Sequence, residues 1–119
     1  MLNIDNPDIV HAIRFIRQFA TQGIRVSDVL EEVQLSNKTL ERWFKMTLGH
    51  TPEQEIIRVK LEFSINLLKT TNMPIRMIAE VSGFATEQYY VQVFRKIKGK
   101  TPAQFRKENV TRSTGLLDG

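Results

Sequence analysis

The stretch GFATEQYYVQVFRKIKGKTPAQFRK, Gly83 to Lys107, decides how this chain is read. Its apolar residues recur at helical spacing, its second half is crowded with positive charge, and Thr101-Pro102 opens a further helix. From Arg95 to Lys107 there are six basic residues and no acidic one. The reason for tyrosines and glutamines first, then cations, lies in a second stretch about fifty residues upstream that reads as its copy.

Residues 26–52 and 75–102 can be laid over each other. Leu30, Leu35 and Ser36 match Ala79, Phe84 and Ala85. After one extra residue in the second copy, Leu40, Phe44, Gly49, Thr51 and Pro52 match Tyr90, Phe94, Gly99, Thr101 and Pro102. Each copy is a short helix, a tight turn and a longer helix closed by Gly-x-Thr-Pro, the pattern of a helix-turn-helix. One such corner is a weak signal, since any helical bundle contains them. Two corners with matched punctuation, joined by one long helix, are a strong one.

Counting 100° per residue divides each longer helix into two faces. In the first, Leu40, Trp43 and Phe44 share one side, and Lys38, Arg42 and Lys45 lie opposite, flanked by Thr39 and Glu41. In the second, Tyr90, Val93, Phe94 and Ile97 face inward, and Gln88, Gln92 and Arg95 lie opposite, flanked by Tyr89 and Lys96. The outward side chains are of the kinds that reach base edges in a major groove, with cations for phosphates at the helix end. On either helix alone an ordinary solvated face explains them equally well; the duplication favours a reading face.

The remaining elements are helical too. Asn6 is an N-cap candidate, Pro7 a first helical residue and Gly23 a stop, with Ile9, Ala12, Ile13, Ile16 and Phe19 or Ala20 on one face. A second helix of about two turns has Ser27 as its expected cap and Glu31 near a capping-box position. Thr51-Pro52 begins the longest helix, in which Ile56, Val59 or Lys60, Phe63, Leu67 and Leu68 hold helical spacing. About nineteen residues span roughly 28 Å. B-DNA repeats about every 34 Å, so a spacer of this length suits two helices entering successive major grooves. The expected fold is all-α, two helix-turn-helix subdomains joined by a long linker helix, about seven helices in all. The expected boundaries are 1–50, a linker helix at 51–71, a second subdomain at 72–109 and a flexible tail at 110–119.

Composition sets the outer limits. The chain has 119 residues, 41% hydrophobic and 25% charged, an ordinary balance for a globular domain or two very small ones. Seventeen Lys and Arg against thirteen Asp and Glu give a net charge of +4, which permits nucleic acid without requiring it. There is no cysteine, no apolar run of membrane length and no signal-like segment, so a cytoplasmic location is expected. His11 and His50 read as surface histidines rather than metal ligands, and Met46, Met73 and Met77 as packing residues. The sequence offers no nucleophile–base pair, metal cluster or Gly-rich phosphate loop, so neither an enzyme nor a cofactor is expected.

Ile78-Ala79, Gly83-Phe84, Tyr89-Tyr90, Phe94-Arg95, Gly99-Lys100-Thr101-Pro102 and Phe105-Arg106 together resemble the second motif of the DNA-binding domain of AraC/XylS-family transcription regulators. The likeness covers roughly residues 8 to 108, and LERWFKMTLGHTPEQEIIRVKLEFSINLL is most similar to the xylose-operon-regulator subgroup. It implies two helix-turn-helix subdomains, and base contacts from the first turns of each second helix. By position these are Lys38, Thr39, Glu41 and Arg42, then Glu87, Gln88, Tyr89 and Gln92. Gln92 stands where many members carry Arg, which lowers the expected base affinity there, and Ala85 replaces the usual Ser, which passes the capping to Thr86. The resemblance also implies a separate effector or dimerisation domain in a longer chain, sugar-binding in this subgroup.

The function expected is sequence-specific binding of double-stranded DNA for transcription regulation. Arg42 would take a guanine edge and Gln88 or Gln92 an adenine edge, while Glu41 would accept from a cytosine amine or orient Arg42. Lys45, Arg95, Lys96 and Lys98 would hold phosphates, as would backbone N–H groups at the helices starting near Ser36 and Thr86. The rival is a helical protein-interaction module, with RNA polymerase or a neighbouring domain as partner and only sequence-blind affinity for DNA.

Overall fold

The computed structural model describes residues 6–109, so residues 1–5 and the tail expected at 110–119 lie outside the described residues. What is described is helical, with no strand. The helices are α1 (Pro7–Phe19), α2 (Val26–Glu31), α3 (Asn37–Leu48), α4 (Pro52–Thr70), α5 (Ile75–Val81), α6 (Glu87–Lys98) and α7 (102–109), with a 3-10 turn at Ala20–Gln22. The chain divides into two compact units, Met1–Lys60 and Leu61–Gly119, and α4 gives its first half to one and its second half to the other.

In the first unit α1 packs on α2 and α3. Asn6 caps α1, its side-chain oxygen accepting from the Asp8 N–H at 2.9 Å. Ile9, Ala12, Ile13, Ile16 and Ala20 are buried with Val29, Val33, Leu40, Phe44 and Ile56, and Trp43 packs half-buried against them. Ala20 rather than Phe19 completes the buried stripe of α1. The cap of α2 is not Ser27. The Arg25 N–H donates to the Asp28 carboxylate at 2.7 Å, and the helix begins at Val26. An acid three residues inside the helix closes the turn and takes up the N–H that a hydroxyl cap leaves open.

In the second unit α5 packs on α6. A chain of rings runs through it, Phe84 to Tyr90 at 4.9 Å, Tyr90 to Phe94 at 5.8 Å and Phe94 to Phe105 at 5.5 Å. Leu61, Ser64 and Leu68 of α4 are buried, whereas Phe63, expected on the apolar face, is 42% exposed. Residues 61, 64 and 68 keep a three- and four-residue rhythm that leaves position 63 on the far side. Ile97 is likewise 53% exposed and Val93 half-buried, because Tyr90 and Phe94 alone fill the inward stripe of α6. Met46 and Met77 are exposed, so neither is a packing residue.

Arg106 has a structural part in its unit. It is part of the basic run but does not project as a surface cation. Its guanidinium donates to the carbonyls of Leu68, Thr71 and Met73 at 3.3, 3.2 and 2.7 Å, satisfying the end of α4 and the turn after it. Lys100 pairs with Glu108 at 2.6 Å.

The Tyr90 hydroxyl is buried without a hydrogen-bond partner among the described residues, and the nearby Ser64 hydroxyl donates instead to the Leu61 carbonyl at 2.8 Å. Burial pushes the Tyr90 phenol up. An unpaired buried hydroxyl contributes nothing that its removal would lose. Tyr90→Phe is therefore expected to leave urea-denaturation stability within about 1 kcal/mol of wild type or to raise it. Phe94→Ala, which empties a fully buried ring site, should cost about 3–5 kcal/mol.

Candidate nucleic-acid interface

The second helix of each helix-turn-helix is α3 or α6, and each is fixed at both ends by its own sequence. The Ser36 hydroxyl accepts from the Thr39 N–H at 3.2 Å, and fifty residues on, the Thr86 hydroxyl accepts from the Tyr89 N–H at 3.0 Å. Gly49 and Gly99 end the helices at φ +80° and +78°, the left-handed conformation that side chains disfavour. Each is followed by a reciprocal box. Thr51 exchanges bonds with Gln54 at 2.8 and 3.1 Å, and Thr101 with Gln104 at 2.9 and 3.1 Å. Ser36 therefore corresponds to Thr86 rather than to Ala85, and the extra residue of the second copy is Ala85 itself. Thr86 takes the capping role that the alanine cannot fill.

This frame settles which positions correspond. Lys38 pairs with Gln88, Thr39 with Tyr89, Arg42 with Gln92 and Lys45 with Arg95. Lys38, Glu41, Arg42 and Lys45 are all exposed on α3, and Glu87, Gln88, Gln92, Arg95, Lys96 and Lys98 on α6. Two candidates are partly engaged. Thr39 is half-buried and its Oγ1 accepts from the Ser36 hydroxyl at 3.0 Å, while Tyr89 is 40% exposed with its ring 6.0 Å from Phe84. The hydroxyls of Ser36 and Thr86 serve their own helices, each taking up the N–H three residues on, while the two N–H groups between have no partner within the helix. Arg95, Lys96 and Lys98 form no ion pair among the described residues.

The fifty-residue frame also exposes an asymmetry in the expected base-contacting positions. Glu41 corresponds to Val91, which was not among them, and Glu87 corresponds to Asn37. The matches of Leu40 with Tyr90 and Phe44 with Phe94, themselves fifty residues apart, already pair Glu41 with Val91 and are the signal that would have found it. No ion pair joins Glu41 to Arg42, because neighbours on a helix diverge by about 100°.

Behind α3 lies a charged anchor that the sequence did not disclose. Glu55, in the first turn of α4, is fully buried. Its carboxylate accepts from Arg17 Nε at 3.1 Å and from Arg58 Nε and Nη2, both at 2.8 Å, and it meets His50 Nε2 at 2.6 Å. His50 is thus half-buried and bonded rather than a plain surface residue. The cluster ties the end of α1, the turn after α3 and the start of α4 to one carboxylate. Burial by itself would raise the Glu55 pKa, but the bonds from Arg58, His50 and Arg17 outweigh it and hold the group at about 2.

Among the described residues no helix is long and apolar enough to cross a membrane, and no group of three or more His, Cys, Asp or Glu is placed to hold a metal.

Comparison with known proteins agrees with this geometry. The model of the helix-turn-helix domain family matches residues 29–108. The chain is 35% identical over 107 residues to the xylose operon regulatory protein of Escherichia coli K12, covering 90% of this chain and 27% of that one. It superposes on the structure of the xylose-binding transcription activator xylR with a TM-score of 0.74 and 34% identity, over 92% of this chain and 29% of that one. The DNA-binding domain of AdpA, solved with a target DNA, shares the fold with a TM-score of 0.84 at 20% identity, over 90% and 96% of the two chains. The chain thus spans about a quarter of the length of the xylose regulators it matches, and its matches are regulators rather than enzymes.

A carboxyl held below its ordinary value favours the fold above about pH 4.5 and gives up that contribution as pH falls to about 2. Wild type should therefore lose denaturation midpoint on acidification through that window more steeply than Glu55→Gln, which should be the less stable of the two at neutral pH. An identical acid slope in both would falsify the role given to the carboxylate. With two capped helix-turn-helices, matched exposed faces and these relatives, the chain belongs to the helix-turn-helix domain family, as a DNA-binding domain of the AraC/XylS type used in transcription regulation and similar to the xylose operon regulators.

Proposed function

We propose that this domain binds double-stranded DNA sequence-specifically, with α3 and α6 as two recognition helices entering successive major grooves. The observation that carries the proposal is the correspondence of the two exposed faces. At equal distances from equal caps, both helices present long polar side chains in their first two turns and cations in their last. Lys38, Thr39, Glu41 and Arg42 read one block, and Glu87, Gln88, Tyr89 and Gln92 the other. Arg42 takes a guanine edge and Gln88 or Gln92 an adenine edge, each worth about 1–3 kcal/mol of discrimination. Glu41, which is not paired to Arg42, is the acceptor for a cytosine amine. Lys45, Arg95, Lys96 and Lys98 hold phosphates together with the backbone N–H groups beside Ser36 and Thr86. α4, nineteen residues long, is the spacer that sets the distance between the two blocks. Likeness to the xylose regulators is the support for adding RNA polymerase and a sugar effector, acting through another domain, to the partners of the intact regulator.

Selection from a randomised duplex library at physiological salt tests this reading. Two short enriched blocks about one helical turn apart are expected. A single block would leave one helix as a backbone clamp, and no enrichment, with binding that vanishes as salt rises, would favour the protein-interaction module. If about six phosphates are engaged, log affinity should fall with log salt at a slope of about −5. On the selected site, Arg42→Ala should erase preference at one position while Lys96→Ala weakens all sequences alike. Uniform loss from Arg42→Ala would remove it from the base-reading set.

A further inference from the structure

We infer that Val91 is a specificity-determining residue of α6, whose methyl groups pack against the C5-methyl of a thymine in the second block. The inference rests on the base-reading function proposed above and deepens it. Three observations lead to it. First, with the caps Ser36 and Thr86 aligned, Val91 occupies on α6 the place that Glu41 occupies on α3, one turn after Glu87 and beside Gln92. Second, Val91 is only half-buried, although Tyr90 and Phe94 beside it are fully buried, so its side chain is not consumed by the core. Third, Val91 lines an open depression on α6 together with Glu87, Gln88 and Gln92.

The chemistry of that depression selects its occupant. Its lining holds no cation, so neither a phosphate nor the O6 and N7 acceptors of guanine have a charged donor there. Two amides and one aliphatic side chain remain beside the Glu87 carboxylate, which sits a turn nearer the helix start. An A·T pair presents an acceptor and a donor on adenine, which an amide matches twice over, and a methyl group on thymine, which only an apolar contact recognises. Gln88 or Gln92 with Val91 therefore forms a complement to A·T. On α3 the same positions carry Lys38, Glu41 and Arg42, a complement to guanine and cytosine edges. The two helices of the repeat would then read blocks of opposite base composition from one frame.

The test uses the 119-residue chain and the site obtained by selection, with each thymine of the second block replaced singly by deoxyuridine, which removes only the C5-methyl. Affinities are measured by fluorescence anisotropy for wild type, Val91→Ala and Val91→Thr. One replacement should weaken wild type about three- to fivefold, the loss expected for one methyl group returned to water. Val91→Ala should bind the thymine and uracil duplexes alike, and Val91→Thr, which keeps one methyl, should retain part of the difference. Unchanged low-salt affinity for an unrelated duplex shows that each variant is folded. Wild type indifferent to every replacement in an enriched block overturns the role of Val91 and leaves base reading by α6 standing. Val91→Ala that still distinguishes thymine from uracil transfers the methyl contact to another residue and also overturns it. Absence of any enriched second block overturns base reading by α6 itself, and the role of Val91 with it.

Discussion

One hydroxyl and one glycine frame each exposed face of this protein. Ser36 and Thr86 accept the backbone N–H three residues on, and Gly49 and Gly99 turn the chain out of the helix in a left-handed conformation. Such a cap helps to fix where the first turn begins, since the first four N–H groups of a helix lack partners within it. Successive residues differ by about 100° in direction, so a start displaced by one residue would swing Lys38 and Arg42, or Gln88 and Gln92, about 100° off the outward face. The identity of the outward residues is therefore a consequence of the caps, and the core residues Leu40, Phe44, Tyr90 and Phe94 lock the same rotation from behind.

The same frame is held by different chemistry in the two units. At the position fifty residues after Glu55 stands Phe105, and after Ile56 stands Arg106. The first unit buries a carboxylate that gathers Arg17, His50 and Arg58 onto the start of α4, and its apolar partner at the next position is Ile56. The second unit packs an aromatic ring on Phe94 and then uses the arginine to satisfy three carbonyls at the end of α4 and in the turn after it. In the first, the carboxylate accepts from side-chain donors, in the second the guanidinium donates to backbone acceptors, and in both the neighbouring apolar residue fills volume. Duplication has kept the punctuation and exchanged the order of these two tasks. The outward faces have diverged as well, cationic on α3 and amide-rich on α6 apart from its last turn.

Much of the architecture was legible because it is written in local signals. Helical period, Asn6 and Ser36 as caps, proline at the first helical position and glycine at the last each act within one turn of chain, and each was found where the sequence placed it. The exposed candidates Lys38, Glu41, Arg42, Gln88 and Gln92 follow from period alone, since a face opposite a buried stripe is outward in any packing. The expected cap at Ser27 went astray because two local signals compete there, and the carboxylate of Asp28 wins over the hydroxyl.

Tertiary structure decided what depends on partners distant in the chain. Glu55 carries no mark in the sequence that distinguishes it from Glu53 or Glu62; its burial follows from cations brought to it from α1 and from the turn after α3. Arg106 stands in a run of cations, and only the carbonyls of Leu68, Thr71 and Met73, more than thirty residues earlier, give it a structural task. Phe63 and Ile97 fit an apolar stripe by period, yet a stripe is buried only as far as another element reaches to cover it. The sequence by itself determined the helices, their ends and the polarity of each face, because these are set by residues three or four apart. Which charges turn inward and how wide each buried stripe extends were left to the fold, because those require groups from other elements to arrive and replace water.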